Sequence, residues 1–346
     1  MLIKNIKTSA WVLTKQNKPL KKFDLYIPKL KKGQFLVKIL YTGFCSSQYG
    51  EIIGIKGKDK YLPHCLGHEA VGKVLKKNSK KKISVGSYVV MHWMKSLGSD
   101  SKKINYFTEN NKIVNSGMIT TFSDYAIISE NRLTKINSKK NDLKYYSLLG
   151  CSIPVGISTV EKVIKANKNE KILLIGSGAI GLPIVHYCKN KKIYIDVIDK
   201  RKKSLQKSIF FGCSKTYQKI NTKELINKLK SSYYDHVIDT SGNSKLLNKI
   251  LKIIKPKVNI CLLGVAKKES KIELNQMKIN YGIKVIGSYG GDFNPDLDIN
   301  KYFTFLKKTN FNFDKYLDKI YPINNINNLI DDFKSKKIIG KAILKT

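Results

Sequence analysis

Residues 171–199, KILLIGSGAIGLPIVHYCKNKKIYIDVID, constrain this chain more than any other stretch. An aliphatic run leads into Gly176-Ser177-Gly178-Ala179-Ile180-Gly181, and an apolar stretch of helical length follows. A second apolar run, 193–198, then ends in Asp199. Strand, glycine turn, helix, strand and acid is the order of a βαβ unit that binds a dinucleotide. In such a unit Gly176 permits the tight turn, Gly178 lets the backbone approach a pyrophosphate, and Gly181 lets the helix pack on the strand. Ala179 and Ile180 complete the turn, and the helix N-terminus offers unpaired N–H groups to phosphate. Asp199 stands 23 residues beyond Gly176, close to the spacing at which a carboxylate reaches a ribose 2′-hydroxyl. The glycine pattern alone is weak, because a doubly wound sheet can carry such a turn without a nucleotide. The strand before it and the acid after it favour the nucleotide.

The acid favours NAD over NADP, since it repels a 2′-phosphate. The adjacent cations Lys200 and Arg201 leave NADP open. Apolar runs at 234–240, 258–264 and 283–288, separated by helical stretches, extend the unit into a parallel sheet.

Before residue 150 the pattern differs. Residues 11–14, 23–27 and 34–40 are β-rich, with breaks at Pro19, Pro28 and Gly33. The 346 residues suit two domains. The N-terminus has no sustained apolar run of a secretory signal, and no stretch approaches a membrane span, so a cytoplasmic protein with no membrane partner is expected.

A formal net charge of +40 raises the question of nucleic acid. Of 65 basic residues, however, only Arg132 and Arg201 are arginine, and the lysines are scattered along the chain. Nucleic-acid sites favour the planar fork of arginine, so no nucleic-acid partner is expected. The abundance of Lys, Asn and Ile together fits a genome rich in A and T. A basic surface is still compatible with an anionic substrate such as a sugar phosphate. The six cysteines include no C-x-x-C pair, and a disulfide framework is not expected in a cytosolic chain of this size.

The cysteines bring in a second motif. Gly43-x-Cys45-x-Ser47 is followed by Gly67-His68-Glu69-Ala70-Val71-Gly72, then by a distant Cys151 and the nucleotide turn. In this order the chain resembles the zinc-containing medium-chain dehydrogenases, the alcohol and polyol dehydrogenase superfamily, over nearly its whole length. The resemblance implies an α/β fold with a Rossmann parallel-sheet domain at 152–286 and a discontinuous, β-rich, GroES-like catalytic domain at 1–151 and 287–346.

It also implies a catalytic Zn²⁺ held by Cys45, His68 and Cys151, a Cys₂His set that leaves one position open. Glu69 would sit behind the metal, and Ser47 would pass on the substrate's proton. Asp239, Thr240 and Gly264 would lie on the nicotinamide rim, and Lys341 would be a cation near the pyrophosphate. Gln48 stands where many relatives have an aspartate that orients the ligand histidine, and its carbonyl oxygen is able to accept the same N–H. Gly50 replaces a relay histidine of some relatives. His64 and Cys65 lie near the ligands, but only His68 has the Gly-His-Glu setting. Many relatives carry a second, structural zinc on four close cysteines, whereas residues 94–121 contain none. A polar, metal-free loop and one zinc per chain are therefore expected.

The function so implied is a zinc- and NAD(P)-dependent oxidoreductase acting on a small alcohol or polyol, or its carbonyl counterpart, as a homodimer or homotetramer. Two alternatives stand beside it. One is a reductase of a sugar (pentulose) phosphate for cell-surface polymers. The other is an inactive nucleotide-binding regulator, which the intact triad and Ser47 argue against.

Overall fold

The computed structural model describes residues 2–346 except 56, 138–139, 219–221, 231–232 and 268. The chain divides into two compact units. The first comprises Met1–Ser152, Asn294–Phe305 and Leu317–Thr346, and the second Ile153–Phe293 and Leu306–Tyr316.

The first unit is built of β-strands. Leu2–Leu13, Lys21–Pro28, Ile104–Phe107, Ile113–Ser116 and His64–Cys65 close into a small barrel. Closure leaves these strands no free edge. A second sheet runs in the order Leu133–Lys135, Tyr88–Met91, Ala70–Asn78, Gln34–Phe44, Lys341–Lys345 and Leu317–Pro322, with Tyr125–Ser129 also paired to Gln34–Phe44. Gln34–Phe44 is long and mostly buried, and its Phe35, Val37 and Ile39 pack on Ala70, Val74, Val89 and Met91. Burying three such aliphatic and aromatic side chains is worth about 1.5–3 kcal/mol each. It is enough to fix the register, because a one-residue slip would turn each of them to the other face.

The segment 94–121, expected as a polar loop, contains the antiparallel hairpin Ile104–Phe107 and Ile113–Ser116 instead. Ile104, Tyr106 and Val114 are buried in the barrel core, and Asn105, Ile113 and Asn115 alternate with them at less buried positions. This period-two alternation is the ordinary signature of a half-buried strand.

The second unit carries six parallel strands in the spatial order Lys215–Gln218, Tyr194–Asp199, Lys171–Ile175, His236–Asp239, Asn259–Leu262 and Lys284–Gly287. Numbered along the chain this is 3-2-1-4-5-6, the doubly wound order of dinucleotide-binding sheets. The direction of winding reverses between Lys171–Ile175 and His236–Asp239, and ligands of such sheets bind beyond the carboxyl ends of the strands at that point. The glycine turn leaves the first of these strands and Thr240 leaves the second. Leu173, Ile175, Val237 and Ile260 form the core with Leu247 and Ile250 of helix Ser244–Ile253. Among the described residues, no helix is long and apolar enough to cross a membrane.

Candidate metal centre and nucleotide turn

Cys45 ends the long strand Gln34–Phe44 and precedes helix Ser46–Ile52. His68 and Glu69 lie just ahead of strand Ala70–Asn78, and Cys151 lies just ahead of helix Ser152–Ser158. The fold of the first unit thus gathers residues far apart in sequence. One ligand atom from each of Cys45, His68, Glu69 and Cys151 lies within 4.8 Å of the others, the one such group among the described residues. His64 and Cys65 stay outside it. His64 bonds Asp59 Oδ2 at 2.7 Å and Cys65 O at 3.0 Å, and burial pushes the Cys65 thiol up to about 12.

Two observations fit a metal here. His68 Nε2 and Glu69 Oε2 are buried without a hydrogen-bond partner among the described residues, a state that costs about 1–3 kcal/mol for each polar group. Two thiols and an imidazole are also a donor set suited to zinc. The site makes room for its acid: a Cβ on Gly43 would lie 2.6 Å from Glu69 Cδ, and one on Gly150 would lie 2.7 Å from Glu69 Cβ. Thr42 Oγ1 donates to Glu69 O at 2.9 Å and holds that backbone against the long strand.

The charges of the cluster act on one another. The Cys45 and Cys151 sulfurs are 3.9 Å apart. Their hydrogen bond holds the Cys45 thiol well below its ordinary value, and the Lys341 charge helps. The same hydrogen bond, with burial, pushes the Cys151 thiol well above it. Burial works against the His68 imidazolium, but the Cys45 sulfur and the Glu69 charge outweigh it and raise the group. Burial also raises the Glu69 carboxyl, with Lys341 opposing.

Lys341 lies in the first unit, 1% exposed, and its Nζ is ion-paired to Glu69 Oε1 and bonded to Ser152 Oγ at 2.8 Å. The structure corrects one expectation here. Gln48 does meet His68, but with the opposite polarity. Its Oε1 accepts the Gly67 N–H, and its Nε2 faces His68 Nδ1 at 3.0 Å and Glu51 Oε2 at 3.3 Å. Gly43 of the Gly-x-Cys-x-Ser motif joins the centre together with Gly150 and Ser152, whose places on either side of Cys151 are their one signal in the sequence.

Ser47 is in the first turn of helix Ser46–Ile52, half-buried, and its hydroxyl has no partner among the described residues. That leaves the hydroxyl able to donate to a bound oxygen and to accept in turn.

In the second unit, Gly176 adopts φ +90°, and a Cβ there would lie 2.8 Å from Thr240 Oγ1. Thr240 Oγ1 donates to Gly176 O at 2.8 Å, which ties the two strand ends together. Gly178 O accepts the Leu182 N–H at 3.0 Å, and Ala179 O accepts the Tyr316 hydroxyl at 2.8 Å. Ile180 caps helix Gly181–Asn190. A Cβ on Gly181 would lie 2.5 Å from Gly176 O, so the helix sits directly on the turn. Asp199 ends its strand as expected. It accepts the Ser177 N–H at 3.0 Å and the Arg201 N–H at 2.8 Å, while Lys200 is exposed. The Gly264 N–H donates to Asp239 O at 2.9 Å, beside Thr240.

The comparisons agree with this geometry. Residues 31–138 match the family described as the alcohol dehydrogenase GroES-like domain, and 179–308 the family described as zinc-binding dehydrogenase, together more than half of the chain. An S-(hydroxymethyl)glutathione dehydrogenase of Escherichia coli is 25% identical over 278 residues, covering 71% of this chain and 74% of the relative. The solved benzyl alcohol dehydrogenase of Acinetobacter calcoaceticus superposes with a TM-score of 0.86 at 18% identity, covering 99% of both chains. Acetophenone reductase of Geotrichum candidum, solved in complex with NAD, superposes with a TM-score of 0.80 at 19% identity, covering 98% of this chain and 97% of its own. With its GroES-like and Rossmann-type units and a Cys-His-Glu-Cys cluster that fits zinc, the chain belongs to the zinc-containing medium-chain dehydrogenase/reductase superfamily, as an oxidoreductase of the alcohol dehydrogenase family.

Proposed function

We propose that this protein transfers hydride between NAD and a small alcohol or polyol, or its carbonyl counterpart, using one zinc ion held by Cys45, His68 and Cys151. The observation that carries the proposal is the convergence of those three side chains with Glu69 inside 4.8 Å. When bound, the zinc supplies Lewis acidity toward the substrate oxygen and the nicotinamide supplies or accepts the hydride.

The chain's own residues do the rest. Cys45, whose thiol the Cys151 hydrogen bond holds below its ordinary value, would provide an anionic ligand to the ion. Glu69 and Lys341 form a buried pair behind the ligands that fixes the charge balance of the site. Ser47 holds the substrate's proton at Oγ and releases it outward. Gly176, Gly178, Ala179, Ile180 and Gly181 seat the pyrophosphate at the helix N-terminus. Asp199 selects NAD by taking the ribose hydroxyls, its acceptor capacity only partly used by Ser177 and Arg201. Thr240 and Gly264 line the nicotinamide end.

The test is Cys45→Ser. Zinc content and hydride transfer should both be lost while NADH still binds. Full turnover in that variant, or two zinc ions per chain in the parent, overturns the proposal. A screen of simple alcohols, polyols, glutathione adducts and pentulose phosphates then identifies the substrate class.

A further inference from the structure

We propose that Gln48 is a positioning residue that lowers the metal affinity of the Cys45–His68–Cys151 centre by fixing which ring nitrogen of His68 carries the proton. The inference rests on reading that centre as a metal site. Gln48 is 4% exposed, and its amide sits among three groups. The Gly67 N–H points at Oε1, and a backbone N–H only donates, so that amide atom has to be the oxygen. Glu51 Oε2 lies 3.3 Å from Nε2, and a carboxylate only accepts, so that atom has to be the NH₂. Both contacts demand the same orientation of the amide.

The third group is His68 Nδ1, 3.0 Å from the same NH₂. The NH₂ only donates, so the neutral ring accepts at Nδ1 and carries its proton on Nε2. Nε2 is the buried ring nitrogen left for the cluster. A metal needs the Nε2 lone pair, and histidine ligands ordinarily donate their other ring N–H to an acceptor. Here loading the metal moves the proton to Nδ1, where it meets the amide hydrogen that Gln48 directs at it. Turning the amide to relieve that contact breaks its bonds to Gly67 and Glu51. A carboxylate at position 48 would accept from Gly67 and His68 at once.

The experiment exchanges the pair. Zinc affinity is measured by chelator competition for the parent, Glu51→Gln alone, and Gln48→Glu combined with Glu51→Gln, which preserves the net charge. The double variant should bind zinc about 10–100-fold tighter than both of the others, the range over which such outer partners act. Equal or weaker binding overturns the inference. Should the double variant not fold, nitrogen NMR of the histidine-labelled, metal-free parent at alkaline pH reads the tautomer directly. A His68 proton on Nε2 supports the inference, and one on Nδ1 overturns it. Cys45→Ser separates the two layers. Zinc binding that survives it unchanged overturns the site and this inference together. Binding lost in Cys45→Ser but equal in the parent and the double variant overturns the Gln48 role alone.

Discussion

Replacing Lys341 with methionine keeps the volume of a side chain that is 1% exposed and removes its charge together with its hydrogen bond to Ser152. Its partner Glu69 is 0% exposed and has a second oxygen with no hydrogen-bond partner among the described residues. Breaking a buried pair by deleting one member typically costs about 3–5 kcal/mol, because the other charge stays buried without compensation. Burial already raises the Glu69 carboxyl and Lys341 is what opposes it, so the substitution lifts that group further. The sign of the pH dependence follows. A carboxyl whose folded pKa lies above its unfolded one loses stability as pH rises, because the unfolded state ionises first. The variant's deficit should therefore be small in acid, where Glu69 is protonated in both states. It should grow as pH climbs from the ordinary carboxylate range through the raised value. Thermal unfolding in chelator reads this, at about 2–4 °C per kcal/mol for a domain of roughly 200 residues. Lys341→Met with Glu69→Gln should recover most of the loss and remove its pH dependence. A single variant within about 1 kcal/mol of the parent at neutral pH, or a failure of Glu69→Gln to rescue it, refutes the reasoning.

Other outcomes follow from the same geometry. Gly43→Ala places a methyl 2.6 Å from Glu69 Cδ, and should cost about 1–3 kcal/mol by overpacking together with part of the zinc, read by unfolding and metal content. Asp199→Asn keeps an acceptor for the Ser177 N–H but removes the charge that disfavours a 2′-phosphate. The ratio of kcat/KM for NADP over NAD should therefore rise about tenfold or more, equivalent to about 1.4 kcal/mol. With zinc chelated, Cys45 should alkylate at lower pH than an ordinary thiol while Cys65 resists, since one thiol is held well below its ordinary value and the other is pushed up to about 12. Zinc should protect Cys45, and mass spectrometry of the labelled peptides decides.

The parts of the fold that could be read from sequence are those whose side chains answer to local rules. Residues 171–199 announce themselves because a buried parallel strand is continuously aliphatic and the turn is made of glycine. The edge strand Lys215–Gln218 was missed for the opposite reason: it is largely exposed, and nothing in KTYQ separates it from a loop. The ligand residues were recognisable through their motif. Their support was not, since Lys341 meets Glu69 across 272 positions of sequence. The Gln48 amide shows a further limit. Its residue type allows either polarity toward His68, and only the placement of the Gly67 N–H and Glu51 selects one.

The order of the strands in the first unit also bears on how the chain assembles during synthesis. Tyr41–Phe44 pairs with Ala342–Lys345, so that stretch of the long strand waits for nearly 300 residues to be made. At about 5–20 residues per second the wait lasts on the order of tens of seconds. Throughout it Tyr41–Phe44 shows an open row of backbone donors and acceptors, and Glu69 lacks its counter-charge. The second unit, nearly continuous in sequence, is free to fold inside that interval. Nascent chains should therefore be most exposed to aggregation, and most in need of a chaperone, after the nucleotide unit is complete and before the last strand arrives.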